Sequence, residues 1–186
     1  MTGVGTGAGT GAGTGVGPTR PVVVLVGPPG AGKTTVGTAL AARLGVPVRD
    51  TDADIEAAAG ASIPEIFVDH GEPHFRELER AAVRAGLSEH DGVLSLGGGA
   101  VTDPEIRHLL SEHRVVFLDV SLAEASNRVG LNAARPLLLG NVRGRLKQLM
   151  DERRPLYAEV ATATIDTSAG TPDEVVDQIA RLVGDA

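Results

Sequence analysis

From Gly27 to Thr34 the chain reads GPPGAGKT, which matches G-x-x-x-x-G-K-[ST] at Gly27, Gly32, Lys33 and Thr34, with Gly30 as an additional glycine. Glycines let the backbone curl so that successive N–H groups point inward. A helix beginning near Lys33 adds its positive dipole end, and the lysine ammonium reaches the outer phosphates. This is the chemistry of a loop that holds a phosphate chain, with Thr34 placed to ligate Mg²⁺. GPPG alone is turn chemistry. The setting decides between the two readings: the short β-branched run Val22 to Val26 precedes the loop and the amphipathic TVGTALAARLG follows it.

Phosphoryl transfer asks a protein for in-line positioning and for compensation of spreading negative charge, so a metal acid, a base and arginines are the residues to find. Asp50 and Asp52 stand two apart in VPVRDTD, a short strand ending at an acidic turn. The carboxyl end of a strand is where open α/β sheets bind ligands. One of the pair can hold a water of Mg²⁺ and the other an acceptor hydroxyl; the competing reading is that one of them caps a helix beginning at Ala53. Asp119 ends the apolar VVFLD as a Walker-B acid does, but is read as a cap for the helix that follows. Arg76, Arg135 and Arg153 each stand beside a packing anchor, in FRELE, ARPLL and RRPLY. Planar guanidinium forks at Arg76 and Arg153 suit a carboxylate, and Arg135 suits phosphates. The structural alternative for all three is a solvated helix face or ion pairs with neighbours such as Glu72, Glu79 and Glu152. Gly97, Gly98 and Gly99 let a ligand lie against bare backbone.

Strand and helix patterns alternate around these residues. After the first strand and a helix over 34–44 comes the VPVRDTD strand. Helical periodicity over 53–90 is then divided by Pro64 and by Gly71-Glu72-Pro73 into two short helices and a longer one. In the longer helix Phe75, Leu78, Ala82 and Val83 line one face, and Arg76 and Glu79 project elsewhere. GVLSLGGGA supplies a third strand, residues 103–113 a helix, RVVFLDV a fourth strand, ATIDT the last, and residues 172–183 a final helix that Thr171 can cap. Such alternation predicts right-handed crossovers and a parallel sheet with helices on both faces. In SLAEASNRVGLNAARPLLLG, glycines and arginines interrupt the helical period, so this segment is read as a mobile lid ahead of the helix NVRGRLKQLMDERRPLY.

At 186 residues the chain suits one well-buried domain. Lys+Arg 17 against Asp+Glu 24 gives a net charge of −7, which offers no overall positive field to nucleic acid or an anionic membrane. One tyrosine and three phenylalanines leave little for base stacking. With no cysteine there is no disulfide, thiolate metal site or cysteine nucleophile, and the five histidines lack metal-ligand spacing. No apolar run is long enough to span a bilayer, and a cytoplasmic monomer is expected. Glycine occupies every odd position from Gly3 to Gly17, which predicts a flexible tail over 1–19 ahead of a single domain over 20–186.

In this order and spacing, GPPGAGKTT, DTD, FRELE, SLGGGA, RPLL and RRPLY resemble the shikimate kinase family, from about residue 20 to the end. The resemblance implies an α/β fold of the nucleoside-monophosphate-kinase-like type, three layers with a five-stranded parallel sheet in order 2-3-1-4-5. It also implies an acceptor-binding insert over about 50–80 and a lid over about 128–142. The implied reaction moves the γ-phosphoryl of ATP to the 3-hydroxyl of shikimate, on the route to chorismate and the aromatic amino acids. By the same likeness Asp52 binds the acceptor hydroxyls and is the base, and Arg76 and Arg153 take the carboxylate with Gly98 and Gly99 nearby. Lys33 and Arg135 stabilise the phosphoryl group, and Thr34 and Asp50 serve Mg²⁺. Gly30, Ala31, Gly32, Lys33, Thr34 and Thr35 surround the nucleotide phosphates, and Arg128 lies beside the adenine.

Two departures stand out. The loop DTSAGTP after the last strand has no Arg or Lys where the family often sets a basic residue against the adenine. The stretch from Arg135 to Arg153 is one residue shorter than in some relatives, which leaves Arg153 and Arg154 as alternatives on the carboxylate; the R-x-P-L-Y pattern selects Arg153. A neutral polyol acceptor would leave Arg76 and Arg153 unmatched, and no N-K-x-D guanine signature is present. Replacing Lys33 by Met is expected to abolish transfer in an ADP-release assay; a near-normal kcat would refute the phosphate-loop reading.

Overall fold

In the computed structural model, which describes residues 20–131 and 142–184, the apolar runs become five parallel strands. β1 (Val23–Val26) is central, and the spatial order is β2-β3-β1-β4-β5. The other strands are β2 (Val48–Asp50), β3 (Val93–Ser95), β4 (Val115–Asp119) and β5 (Ala163–Asp166). Every β1 residue is buried, because successive side chains alternate between two covered faces. Val23 and Leu25 enter a cluster with Val36 and Leu40 of α1 (Lys33–Leu44) and Val176 and Ile179 of α7 (Pro172–Gly184). Val24 and Val26 enter one with Val83 of α3 (Ile63–Glu89), Ile106 of α4 (Pro104–Leu110) and Tyr157 of α6 (Val142–Val160). At about 1.5–3 kcal/mol for each fully buried Val or Leu, these two faces supply the main driving force of the fold. The three-layer α/β architecture and the strand order are those expected from the sequence.

Helix ends differ from expectation where packing or capping decides. α2 (Thr51–Ala59) starts two residues before Ala53, because the Asp50 carboxylate accepts from the backbone N–H of Asp52 at 2.9 Å and caps it. α3 keeps the predicted break: Gly71 has φ 79 inside it and Pro73 follows, so a short helix and a longer one meet at a kink. Its start is fixed by a capping box between Ser62 and Glu65. Ile55, Ile66 and Phe75 form a small separate core between α2 and α3. Thr171 caps α7, accepting from Glu174 N–H while the Glu174 carboxylate accepts from Thr171 N–H.

The segment whose helical period glycines and arginines interrupt, read as a lid, is helical in its first part. α5 (Leu122–Leu131) runs through Gly130, and buried Ala125 packs it against the phosphate loop. Tertiary burial here outweighs the weak propensity of glycine. Residues 128–131 of the expected lid therefore belong to α5. Residues 132–141 of it, with Arg135, and the 1–19 tail lie outside the described residues, and residue 142 begins α6. No helix among the described residues is long and apolar enough to cross a membrane.

Candidate active site

The carboxyl ends of β1, β2 and β3 meet at one level, and the loops leaving them carry the site. After β1 the loop turns into α1 at Gly32, whose φ of 90 forbids most side chains. α1 has no side-chain cap and no acidic residue in its first turn, so its N–H groups and dipole end face an open cleft. Lys33 Nζ folds back under the loop and donates to the carbonyls of Gly27 at 2.7 Å and Pro28 at 3.2 Å. Burial pushes its pKa down to about 8, against the opposing charges of Asp52 and Asp50 and with help from Arg153. A cleft of about 430 Å³ is lined by Gly30, Gly32, Lys33, Thr34, Thr35, Asp50 and Asp52.

Three elements converge on the triple-glycine turn after β3. The Asp52 carboxylate lies so close to Gly97 that a Cβ there would overlap its Oδ1. Burial, and then the neighbouring Asp50, raise the Asp52 pKa above the ordinary carboxylate value, while Lys33 opposes the rise. A Cβ on Gly99 would stand 2.6 Å from Arg76 Nη1. The Gly98 carbonyl accepts from Arg153 Nη1 at 3.0 Å and from the Tyr157 hydroxyl at 2.6 Å. Asp52, Arg76 and Arg153, far apart in the chain, thus surround one patch of bare backbone. Arg154 turns the other way and pairs with Asp119, so of the two alternatives Arg153 is the one that faces the turn.

Glu79 corrects the sequence reading. It was expected to project away from the apolar face, yet it is 1 % exposed and accepts from Arg76 Nη1 at 2.6 Å. Arg76 also pairs with Glu72 at 3.0 Å, so its guanidinium is held from two sides. The paired charge is what lets a carboxylate sit in the core. Burial still raises the Glu79 pKa, with Arg76 opposing. Asp119 departs too: instead of capping α5 it accepts from Val120 N–H at 2.9 Å and pairs with Arg154, while Ser121 Oγ accepts from Glu124 N–H at the helix start.

A second cleft of about 300 Å³ adjoins the first and shares Gly32, Thr35 and Arg128 with it. Arg128 donates to the carbonyl of Gly30 at 3.1 Å and to that of Thr167 at 2.6 Å. The Thr167 hydroxyl donates to the Ala31 carbonyl at 3.1 Å, which closes a link between the phosphate loop and the β5–α7 loop. That loop, lacking Arg and Lys, presents Gly170, Thr171 and Pro172 to the cleft. Glu79, Tyr157 and Thr167 were not singled out for the site from sequence. Glu79 carried a usable signal, standing three residues after Arg76 on one helix, at ion-pair spacing.

A phosphate loop leaving the central strand of a parallel sheet in this order, sharing its cleft with the Asp52 carboxylate beside a glycine turn that holds Arg76 and Arg153, makes the protein a P-loop phosphotransferase. The family model described as shikimate kinase matches residues 29–183. A shikimate kinase of Frankia casuarinae is 61% identical over 163 residues, covering 88% of this chain and 72% of that one. One from Salinispora arenicola is 58% identical, covering 88% of this chain and 98% of its own. Among solved structures, a shikimate kinase from Acinetobacter baumannii in complex with shikimate superposes with a TM-score of 0.82 at 38% identity, covering 90% of this chain and 94% of that one. The chain belongs to the shikimate kinase family.

The Arg76–Glu79 pair yields a stability prediction with a definite sign. The folded pKa of Glu79 lies above its ordinary 4.5, so between the two values the folded state holds a proton there that the unfolded chain has released, and above both Glu79 is a carboxylate in either state. Stability from this group falls as pH rises through that window and stays lower above it. Arg76→Ala removes the counter-charge and is expected to destabilise the protein by about 2 kcal/mol near neutrality in denaturant titrations, and by less below about pH 5. Adding Glu79→Gln should recover most of the loss; an equal loss at both pH values would show that Glu79 carries no buried charge.

Proposed function

We propose that this site transfers the γ-phosphoryl group of ATP to the 3-hydroxyl of shikimate, giving shikimate 3-phosphate and ADP. The observation that carries the reading is the convergence of Asp52, Arg76 and Arg153 on the Gly97–Gly99 turn, across the cleft from Lys33. An acid bearing hydroxyls needs both a guanidinium-lined end for its carboxylate and a base at the hydroxyl end. Chain membership of the shikimate kinase family supports the same acceptor.

The N–H groups of Gly30 to Thr35 hold the phosphates and the α1 dipole favours their charge. Lys33 stays largely protonated at neutral pH even at a pKa of about 8, and phosphate oxygens draw its ammonium from the loop carbonyls toward the transferring group. Asp52 accepts the hydroxyl proton as the oxygen attacks; its raised pKa makes it a better base than a solvated aspartate. Arg76 and Arg153 fix the carboxylate end, and so the angle of attack. Arg135 is assigned to the γ-phosphoryl on family likeness, and Arg128 and Pro172 border the space for the base. The oxygen donors Thr34 and Asp50 suit Mg²⁺, a hard ion that leans on substrate phosphates rather than a protein cage. Among the described residues no cluster of three or more His, Cys, Asp or Glu side chains forms a metal cage. Held there, Mg²⁺ would supply positive charge to offset the negative charge of the phosphate chain. We assign the acceptor insert to residues 50–80.

An ADP-release assay across shikimate, quinate, gluconate and nucleoside monophosphates tests the assignment; turnover is expected with shikimate, and turnover only with one of the others would overturn it. Asp52→Asn should lower kcat by about 10²–10⁴-fold while ADP affinity is retained. In the unaltered enzyme kcat/KM should fall in acid with an apparent pKa above 3.8, and the Asn variant should lose that limb.

A further inference from the structure

The two arginines at the glycine turn are held in different ways. Arg76 is paired with both Glu72 and Glu79, whereas Arg153, among the described residues, makes no ion pair. Its Nη1 donates to the Gly98 carbonyl at 3.0 Å. A long side chain without such a tether spreads over many rotamers and loses that freedom only when a ligand fixes it. Where the Gly98 carbonyl points is therefore what aims the guanidinium.

That carbonyl sits in backbone with little of its own to hold it. Gly97, Gly98 and Gly99 carry no Cβ, and peptide planes between glycines turn more freely than others. The Tyr157 hydroxyl donates to the Gly98 oxygen at 2.6 Å, and the two lone pairs of that oxygen accept the phenol and the guanidinium together. A Cβ on Gly98 would lie 3.6 Å from the Tyr157 hydroxyl and 3.4 Å from the Gly27 carbonyl oxygen, so the turn is set against the phosphate loop at the same point.

Tyr157 is fixed by its packing. It is 1 % exposed, and its ring stacks on Phe117 of β4. Arg153 and Tyr157 stand four residues apart on α6 and so share one of its faces. Pro155 lies between them and offers no N–H to the Asp151 carbonyl, which interrupts the backbone ladder of α6 where Arg153 leaves it. The ring and hydroxyl of Tyr157 hold that turn of the helix to the sheet.

We infer that Tyr157 is a positioning residue for the acceptor: its hydroxyl fixes the Gly98 carbonyl, that carbonyl aims the Arg153 guanidinium, and affinity for the carboxylate of shikimate depends on both. The inference rests on the kinase reading of the site.

The test is steady-state kinetics of the unaltered protein, Tyr157→Phe, Arg153→Ala and the double variant, with melting temperatures alongside. Tyr157→Phe keeps the ring and its stacking and loses only the hydroxyl. Its KM for shikimate should rise about tenfold, the worth of one hydrogen bond, with kcat and the KM for ATP close to the unaltered values. The melting temperature should hold, because Arg153 still occupies the Gly98 carbonyl. In the Arg153→Ala background, adding Tyr157→Phe should have almost no further effect on kcat/KM for shikimate, since the hydroxyl acts through the missing guanidinium. An unchanged KM for shikimate in Tyr157→Phe would overturn the inference and leave the kinase reading in place. So would an equal loss in both backgrounds, or an equal rise in KM for ATP, either of which marks a general structural role. No turnover of shikimate by the unaltered protein would overturn the kinase reading, and the inference with it.

Discussion

The site is organised around volume that Gly97, Gly98 and Gly99 leave unfilled. Asp52 presses against the first of them and Arg76 against the last, and the carbonyl of the middle one receives both Arg153 and Tyr157. Tyr157 is buried and stacked on Phe117 of β4 with ring centroids 5.1 Å apart, and its pKa is pushed up to about 12, so it remains a hydrogen donor at any working pH. Through it α6 is fastened at once to the sheet and to the glycine turn. The spacing among Asp52, Arg76 and Arg153 is thus set by the packed core rather than by loops.

Charge follows the same economy of placement. The chain carries −7 overall, yet around the site Lys33 feels Asp50, Asp52 and Arg153, and Arg76 is paired with both Glu72 and Glu79. Burial raises the pKa of Asp52 and of Glu79, and Lys33 opposes the first rise as Arg76 opposes the second. An anionic substrate pair can be gathered by such a protein because the positive charges are few, fixed and partly desolvated, with no general positive field needed.

What the sequence disclosed was whatever depends on local pattern. The apolar runs at 22–26, 93–95 and 115–119 became strands, Gly71 and Pro73 broke α3, Thr171 capped α7, and the loop glycines sit where φ demands them. Strand order came with the family resemblance rather than from periodicity, and the sheet has that order. The residues that local pattern missed are those whose partners lie elsewhere in the fold. Glu79 looks like a solvated charge until the fold buries it against Arg76. Asp119 looks like a cap until Arg154 arrives from α6. α5 looks broken at Gly130 until its contact with the phosphate loop is counted, and Thr167 is an ordinary loop threonine until it reaches Ala31. Among the three arginines the sequence singled out, the structure brings Arg76 and Arg153 together, and Arg135 lies outside the described residues.

The Arg128 bridge bears on how the second cleft receives a guest. Its guanidinium is tethered to Gly30 and Thr167 before anything binds, so a long side chain has surrendered its rotamer freedom during folding rather than at docking. A flat ring that entered between Arg128 and Pro172 would meet a preorganised wall and lose little further entropy in immobilising it. Association there would be closer to lock-and-key than to induced fit, which would offset a rim whose described residues bring no cation besides Arg128.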